Sequence, residues 1–579
     1  MGLGDAIQIG RSALSAAQLG IQTASNNLAN SATPGYSRRT LDLRSVPGGA
    51  NTGSGQIGLG VEVGSIRRVV DESILTRINQ AAGDESAAQV RSDILAEIEA
   101  NINELTDQDL SSELGAFFSV WSELANGSDT QAIVIEQGER LAGVLERSRE
   151  DLVRQRSALD DRLDSEIDRL NELTAQIGTV NRTIAETELT GNEANSLRDQ
   201  RDQLVRELSS LADVTAVPRE SGGLDILIGS TPIVQGSRIR EAEIRRETRN
   251  GSLEISLRVK EDGTTLPATS GTIGELLSGR ETLIDATIED LDSIAAALIF
   301  EVNRLHSTGV NPQGLTLIEG TRSLGVGDRT RPLNDPTNAT LAALPFNAVN
   351  GGFSVVVRDP GTGSTTTTRI DIDLDGIDAA GNTGITDDTS LDDIRAQLDA
   401  VAGLTATITS DGRLSIRAAD GLEFNLTDDT SGALAVLGVN GYFQGSDASD
   451  IRVEQRLLDN PTQLATGSLD REQNFVENGT SLAIAGLQDG TVDMLNGRSI
   501  GAFWRDRVQS IGGQASSAQG ELASLTAVRE SLDAQRLGLS GVNEDEEALN
   551  LLAFQRQFQG AARVISTADE LLNELLELV

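Results

Sequence analysis

The feature that most constrains this chain is a long apolar seam at its C-terminal end. Apolar residues recur there with spacings of three and four, without interruption, at Leu551, Phe554, Phe558, Ala561, Ile565, Ala568, Leu572, Leu575 and Val579. This spacing places all the side chains on one face of a helix, as in a coiled coil. Asn543 can cap the helix, and the acidic residues 544–547 suit its first turn. The segment is therefore predicted to be an amphipathic helix that needs an apolar partner.

A second seam lies near the N-terminus and combines large with small residues. Large residues recur every seven positions at Ile7, Leu14, Ile21 and Leu28, and small residues follow at Gly10, Ala17 and Ala24. Small side chains allow a second helix to approach closely. An ordinary core helix would explain either seam alone. Since chain ends usually fray, two terminal seams predict helices that pair with each other and with other copies.

The N-terminal helix ends in a polar segment. Asn26, Asn27 and Asn30 follow the alanine-rich run, and Pro34 and Gly35 then break the helix.

The interior of the chain changes character along its length. Residues 88–126 and 132–190 have a helical pattern, a turn at 190–195 leads into a returning helix, and residues 223–259 alternate like strands. From about 320 to 450, Gly, Thr, Asp and Asn rise and helical periodicity largely disappears. The predicted fold is multidomain α+β: residues 1–40 with 541–579 form a terminal coiled-coil domain, 41–320 with 451–540 a mainly helical inner domain with some strands, and 321–450 an inserted all-β outer domain.

Composition excludes several classes of function. The formal net charge is −41, which argues against a nucleic-acid binder, because such proteins track phosphates with basic patches. The chain has no cysteine, so disulfides and thiolate chemistry are excluded. We expect no membrane span and no cleavable secretory signal, because no sufficiently long apolar run is present and the first residues lack a basic region.

Catalytic and metal-binding signals are weak. His306 is the only histidine, and no common hydrolase motif is present. GSGQIG at 53–58 precedes an alternating strand pattern rather than a helix, so no dinucleotide cofactor is expected. DIDLDG resembles the start of an EF-hand loop at Asp371, Asp373 and Asp375, but Asn382 stands where a bidentate Glu is required. A strand with an exposed acidic face is the preferred interpretation, with weak calcium binding as the alternative and no metal site assigned.

Both ends of the chain resemble a known family. SALSAAQLGIQTASNNLANSATPGYSRR and SGVNEDEEALNLLAFQRQFQGAARVISTADELLNELL are similar to the N- and C-terminal signatures of bacterial flagellar rod, hook and hook-associated proteins. The long helical segments at 171–214 and 271–314 resemble a hook-associated protein rather than hook protein, which lacks them. The resemblance covers residues 1 to about 315 and about 450 to 579.

The resemblance implies a structural role without enzymatic activity. The terminal helices would pack as a coiled coil around the central export channel of the extracellular flagellum, with Asn26, Asn27 and Asn30 bonding backbone or neighbouring subunits. Pro34, Gly35 and Tyr36 would turn the chain into the inner domain. The implied partners are identical subunits in a ring at the hook–filament junction, hook protein, hook-associated protein 3, and a cytoplasmic export chaperone on the C-terminal helix. The implied assembly interface comprises Ile7, Leu14, Ala17, Ile21, Ala24, Leu28, Leu551, Phe554, Phe558, Ile565, Leu572 and Leu575.

Three other interpretations stay open on the sequence. A rod or hook protein would share the terminal seams. A surface adhesin would need exposed aromatic residues on the insert, where Phe346, Phe353, Phe424, Tyr442 and Phe443 are available. A regulatory or enzymatic coiled-coil protein with a carbohydrate-binding or hydrolytic insert would need two carboxylates about 5–10 Å apart in a deep pocket of that insert.

Overall fold

The computed structural model describes most of the chain. The described residues are 3–48, 51, 52, 55, 56, 58–102, 109–127, 130–189, 191, 193–220, 222–249, 252–311, 313–378, 381–470 and 474–577. Three positions of the glycine motif, 53, 54 and 57, lie outside them, so that motif is not assessed structurally. The chain divides into two compact units: unit 1 comprises 1–94, 159–280 and 516–579, and unit 2 comprises 95–158 and 281–515. The division into three domains made from the sequence stays a prediction.

Helices dominate the described residues, and strands are shorter. The helices are α1 (Leu3–Ala29), α2 (Glu72–Ile102), α3 (Leu110–Ala125), α4 (Gln131–Glu188), α5 (Asn195–Leu211), α6 (Gly271–Gly279), α7 (Ala286–Ser307), α8 (Leu391–Asp399), α9 (Ala433–Val436), α10 (Gln455–Asp459), α11 (Gly479–Ala485), α12 (Ile500–Ser540) and α13 (Glu544–Glu577). The fold is therefore mixed helix and strand, multidomain, with a long C-terminal helix. None of the described helices combines the length and apolar character that a membrane crossing requires.

The strands form small antiparallel sheets. They are β1 (Arg39–Ser45), β2 (Asn51–Thr52), β3 (Gly55–Gln56), β4 (Val61–Arg68), β5 (Val214–Pro218), β6 (Leu224–Ile228), β7 (Thr231–Gln235), β8 (Arg238–Ile239), β9 (Ala242–Arg249), β10 (Ser252–Val259), β11 (Leu317–Glu319), β12 (Gly351–Arg358), β13 (Thr365–Ile372), β14 (Leu404–Ile408), β15 (Leu414–Ala418), β16 (Glu423–Thr427), β17 (Phe443–Gln444), β18 (Arg452–Val453), β19 (Ser468–Leu469) and β20 (Phe475–Val476). The largest described sheet, β5-β6-β7-β8, belongs to unit 1.

Unit 1 is built on helices that bury regular apolar stripes. The apolar stripe of α4 is buried, at Leu159, Leu163, Ile167, Leu170, Ile177 and Ile184. α5 returns after the predicted turn and buries Leu204, Leu208 and Leu211. β1 pairs with β4 in antiparallel fashion directly after α1.

Unit 2 contains the segment that was predicted to be all-β. Its two three-stranded sheets have the orders β13-β12-β16 and β11-β15-β14. The segment also contains α8 and α9, so it is mixed rather than purely β. α8 starts with a capping box, in which the Ser390 hydroxyl accepts from the Asp393 N–H and the Asp393 carboxylate accepts from the Ser390 N–H. Its buried Leu391, Ile394 and Leu398 explain why this short segment is helical.

An aromatic cluster forms the centre of unit 2. Phe117, Trp121, Tyr442 and Phe443 are almost completely buried, and their ring centroids lie 4.7–6.4 Å apart in the contacting pairs. The Tyr442 hydroxyl donates to the Val134 carbonyl at 2.7 Å. Three of these pairs are edge-to-face, a geometry that stabilises ring pairs in addition to their burial. These aromatic residues therefore stabilise the core of unit 2.

His306 is a structural residue in the same unit. Its ring is fully buried, Nδ1 lies 2.7 Å from the Asn440 carbonyl oxygen, and Nε2 accepts from the Ala465 N–H at 3.1 Å. Only the neutral ring protonated on Nδ1 satisfies both contacts. Burial lowers the pKa of His306 to about 3. The residue therefore stays neutral in the folded chain at physiological pH.

The burial of neutral His306 predicts that unit 2 becomes less stable at acidic pH. The unfolded chain binds a proton on His306 below a pKa of about 6.5, whereas the folded chain does so only near 3. The contribution of His306 to the free energy of unfolding is therefore complete above pH 6.5 and is lost as the pH falls below that value. Between pH 6.5 and 4.5, the wild type should lose up to about 3 kcal/mol more unfolding free energy than His306→Gln. Tryptophan fluorescence during denaturation measures this, because Trp121 and Trp504 both lie in unit 2. Equal pH dependence of the two chains would contradict it.

Candidate assembly surface

The two terminal helices pack against each other in unit 1. α1 contacts α13 along its length, and glycines set the distance between them. A Cβ atom on Gly10 would lie 2.7 Å from Ile565 Cγ1, and one on Gly20 would lie 2.5 Å from the Phe554 ring. Real Cβ contacts are almost never this short. The two helices can therefore approach this closely only because α1 lacks side chains at these positions.

Contacts along the pair define an antiparallel register. Gly10 faces Ile565, Gly20 faces Phe554, and Asn27 faces Glu547. Carried further, this register places Leu3 opposite residue 572. The last turn of α13 therefore extends beyond the first described residue of α1.

The predicted seam residues of α1 divide by size. Ala17 and Ala24 are buried, as is Gly10, which faces Ile565 of α13. The large residues Ile7, Leu14 and Ile21 are only partly buried, and Leu28 is exposed. α1 therefore uses its small residues against α13 and leaves much of its large apolar surface uncovered.

The seam of α13 is covered unevenly. Ala561 and Ala568 are buried, Leu551, Phe554, Phe558 and Ile565 are partly buried, and Leu572 and Leu575 are exposed. Val579, the last predicted position, lies outside the described residues.

A leucine cluster at the end of α13 was only partly predicted. The cluster comprises Leu571, Leu572, Leu575 and Leu576, whose exposed fractions range from 37% to 68%. The seam included only Leu572 and Leu575, although the paired leucines in the sequence signal a broader apolar surface. We name these four residues the leucine end. A contiguous exposed apolar surface of this kind indicates an interaction site.

Asn27 closes the other end of the helix pair. It is buried, and its Nδ2 donates to the Arg39 carbonyl at 2.9 Å and to Glu547 Oε2 at 3.0 Å. Its Oδ1 accepts from the Arg39 N–H at 3.0 Å and from the Tyr36 hydroxyl at 2.8 Å. One amide thus connects α1, the turn, the start of β1 and the first turn of α13.

The other predicted polar residues arrange the turn after α1. Asn26 is exposed and accepts from the Tyr36 hydroxyl at 3.1 Å, while Asn30 Nδ2 donates to the Asn26 carbonyl at 2.9 Å. Gly35 has φ +78°, a conformation that favours glycine, and Pro34 is exposed. Burial raises the pKa of Tyr36 above its usual value. The turn therefore ends α1 and directs the chain into β1.

Arg38 completes this closed end and was missed by the sequence reasoning. Its guanidinium donates to Glu547 Oε1 at 2.9 Å and to Glu546 Oε2 at 3.1 Å, and its backbone N–H donates to the Ser540 carbonyl. Glu547 is buried, so its charge requires such donors. The acidic residues in the first turn of α13 therefore have two roles. They bind the turn after α1, and they interact favourably with the helix dipole.

Replacing Asn27 tests the closed end. Asn27→Asp removes both Nδ2 donors and places a second carboxylate against the buried Glu547. We expect the free energy of local opening to fall by about 3 kcal/mol. Hydrogen exchange at the start of α13 should then accelerate by roughly 100-fold. Asn26→Asp is the matched control, because the exposed Asn26 keeps its acceptor role as a carboxylate. Unchanged exchange in Asn27→Asp would contradict this role.

Comparison with known proteins gives matches across these elements. Residues 95–321 match the family described as flagellar hook-associated protein FlgK helical domain. Residues 7–36 match flagella basal body rod protein, and residues 534–578 match flagellar basal body rod FlgEFG protein C-terminal. The two terminal matches therefore contain much of α1 and all the described residues of α13.

Curated relatives align with almost the whole chain. Flagellar hook-associated protein 1 from Escherichia coli (strain K12) is 25% identical over 98% of both chains. The protein of the same name from Bacillus subtilis (strain 168) is 24% identical over 98% of this chain and 97% of its own. That from Salmonella typhimurium is 26% identical over 98% of both.

A solved structure shows a related fold. The flagellar hook junction protein FlgK from Burkholderia pseudomallei superposes with a TM-score of 0.51 at 14% identity, covering 80% of this chain and all of that one. The helical-domain match, its flanking terminal matches and relatives of one name over nearly the full length agree. This chain is therefore similar over nearly its full length to proteins named flagellar hook-associated protein 1.

Proposed function

We propose that this chain is a structural subunit of the bacterial flagellum that forms the junction between hook and filament and is required for filament assembly. The observation that carries the proposal is the leucine end, which the described residues of the chain leave exposed. Curated relatives named flagellar hook-associated protein 1 support the place in the flagellum.

In the proposed assembly, α1 and α13 form a coiled coil in a ring of identical subunits. The small residues of α1 hold α13 within one subunit, and Ile7, Leu14, Ile21 and Leu28 remain for contacts with the next. The interface on α13 consists of Leu551, Phe554, Phe558, Ile565, Leu572 and Leu575, extended by the rest of the leucine end. Burying such apolar side chains between subunits contributes about 1.5–3 kcal/mol for each fully buried one.

The proposed neighbours are hook protein on one side and hook-associated protein 3 on the other. A cytoplasmic export chaperone would cover the leucine end until the subunit leaves the cell through the flagellar export apparatus. Support for the chaperone is physical, since an exposed apolar helix end invites aggregation. The residues 321–450 form the outer part of the subunit in this proposal.

The comparisons and the described residues favour a hook-associated protein over a rod or hook protein and over an adhesin. The helical-domain match at 95–321 favours a hook-associated protein over a rod or hook protein. An adhesin needs exposed aromatic residues, whereas the aromatic residues named for that role are buried: Phe346, Phe353, Phe424, Tyr442 and Phe443. The family is one of structural flagellar proteins, so the proposal includes no catalytic residue.

Substitution of the leucine end tests the proposal. Serine at all four positions removes apolar side chains that are 37–68% exposed, so the loss of contacts within the subunit is small. We therefore expect a folded chain, with unchanged thermal unfolding, that fails to support filaments in cells lacking the wild-type chain. Electron microscopy measures filament number, and immunogold labelling of the wild type should fall at the hook–filament boundary.

The matched control replaces two leucines elsewhere. Leu189 and Leu482 are exposed to a comparable degree, at 86% and 61%, and serine there should leave filament number unchanged. Normal filaments in the leucine-end variant, or a wild-type label away from the boundary, would refute the assembly role.

A further inference from the structure

Three carboxylates converge at the end of β13 in unit 2. One carboxylate oxygen each from Asp373, Asp375 and Asp388 lies within 4.8 Å of the others. Asp371, the first residue of the EF-hand-like pattern, is not among them, because it is exposed on β13 and pairs with Arg369 at 3.0 Å. Asn382 instead donates to Asp378. Asp388, which the sequence pattern does not include, completes the group. We call these three residues the aspartate cluster.

Asp388 provides an independent sign of a ligand. Its side chain is 97% buried, since only 3% of the residue is exposed. Oδ2 accepts from Asn334 Nδ2 at 2.6 Å, but Oδ1 is buried without a hydrogen-bond partner. A buried carboxylate oxygen without a partner is costly in free energy unless something binds it. Oδ1 of Asn334, next to it, is also buried without a partner.

The charge of the aspartate cluster is not balanced by a basic side chain. Within the described part of the chain, the ion pairs found do not include Asp373, Asp375 or Asp388. Three carboxylates this close repel one another, and one of them is buried. A bound cation would remove the repulsion and satisfy the open oxygen of Asp388.

The ligand chemistry selects the cation. All the candidate ligands are hard oxygen atoms, which suit Ca²⁺ or Mg²⁺ rather than zinc. Ca²⁺ takes six to eight oxygen ligands at about 2.3–2.6 Å in flexible geometry, whereas Mg²⁺ demands a near-ideal octahedron at about 2.0–2.1 Å and keeps several waters, so a cluster of three carboxylates suits Ca²⁺ better. We propose that Asp373, Asp375 and Asp388 bind a calcium ion that connects the end of β13 to the start of α8.

The surrounding backbone is suited to this connection. The Asp373 N–H donates to Thr389 Oγ1 at 2.8 Å, and the Thr389 N–H donates to the Asp373 carbonyl at 2.7 Å. Ser390, the next residue, caps α8. Calcium would therefore hold two segments that already meet, and its binding should stabilise the loop between them. With three carboxylates, we expect a dissociation constant on the order of 0.1–1 mM.

Hydrogen exchange of the full chain, with and without about 5 mM CaCl₂, tests the site. Peptides covering 370–392 should exchange at least 5-fold more slowly in calcium, and calorimetric titration should give a saturable heat. Asp375→Asn should abolish both effects while the chain stays folded, because Asp375 is exposed. Asp388→Asn should also abolish them, and it should stabilise the calcium-free chain by removing a buried charge.

The matched control is Asp371→Asn, which removes an acidic residue two positions away but leaves the aspartate cluster intact. It should keep the full calcium response. No slowing and no heat at about 5 mM CaCl₂ would overturn the site, as would a response that persists in Asp375→Asn. An equal response to MgCl₂, or to NaCl at the same ionic strength, would overturn the assignment to calcium.

Discussion

Close contact between α1 and α13 is the interaction on which the proposed function depends. Gly10 and Gly20 let Ile565 and the Phe554 ring occupy space that any other side chain would fill. Dispersion contacts weaken rapidly with distance, so this approach gives the pair much of its attraction. Asn27 then fixes one end of the pair by donating to Glu547 of α13 at 3.0 Å. Together these contacts set the register of α13 on α1.

The acidic surplus of the chain acts against association. With a net charge of −41, copies repel one another at long range. Contacts between copies therefore depend on short-range burial of apolar surface, and salt weakens the repulsion between them. Within one chain, by contrast, part of the negative charge is neutralised locally, because several arginines bind carboxylates at short distance. Arg68, for example, donates to Asp199 at 2.9 Å and to Asp202 at 2.7 Å.

The sequence predicted the long helices well, because apolar periodicity over many turns outweighs local exceptions. α1, α13 and the pair α4–α5 all followed from it. The short α8 was missed, since nine residues give too few turns for a period, although Ser390 and Asp393 form a recognisable capping box. Within the candidate site, the seam positions could be listed from the sequence, but their burial could not. Which face of α1 meets α13 depends on the fit between side chains of two segments more than 500 residues apart.

Contacts between distant segments also explain which other residues the sequence did not reveal. Asp388 joins Asp373 and Asp375 through the folding of the loop, and Arg38 joins Glu547 across nearly the whole chain. No spacing rule connects such positions. Likewise, Tyr442 was considered for an exposed role, and its packing against Phe117 at 5.9 Å could not be read from either local sequence.

The two ends of the α1–α13 pair are chemically unlike. One is closed by the Asn27 amide, Arg38 and the buried Glu547, and the other presents exposed leucines. A helix pair with one polar end and one apolar end is asymmetric along its axis. Copies that pack side by side with their helix pairs parallel bring leucine end to leucine end. An assembly of such copies would therefore distinguish its base from its tip without any additional signal.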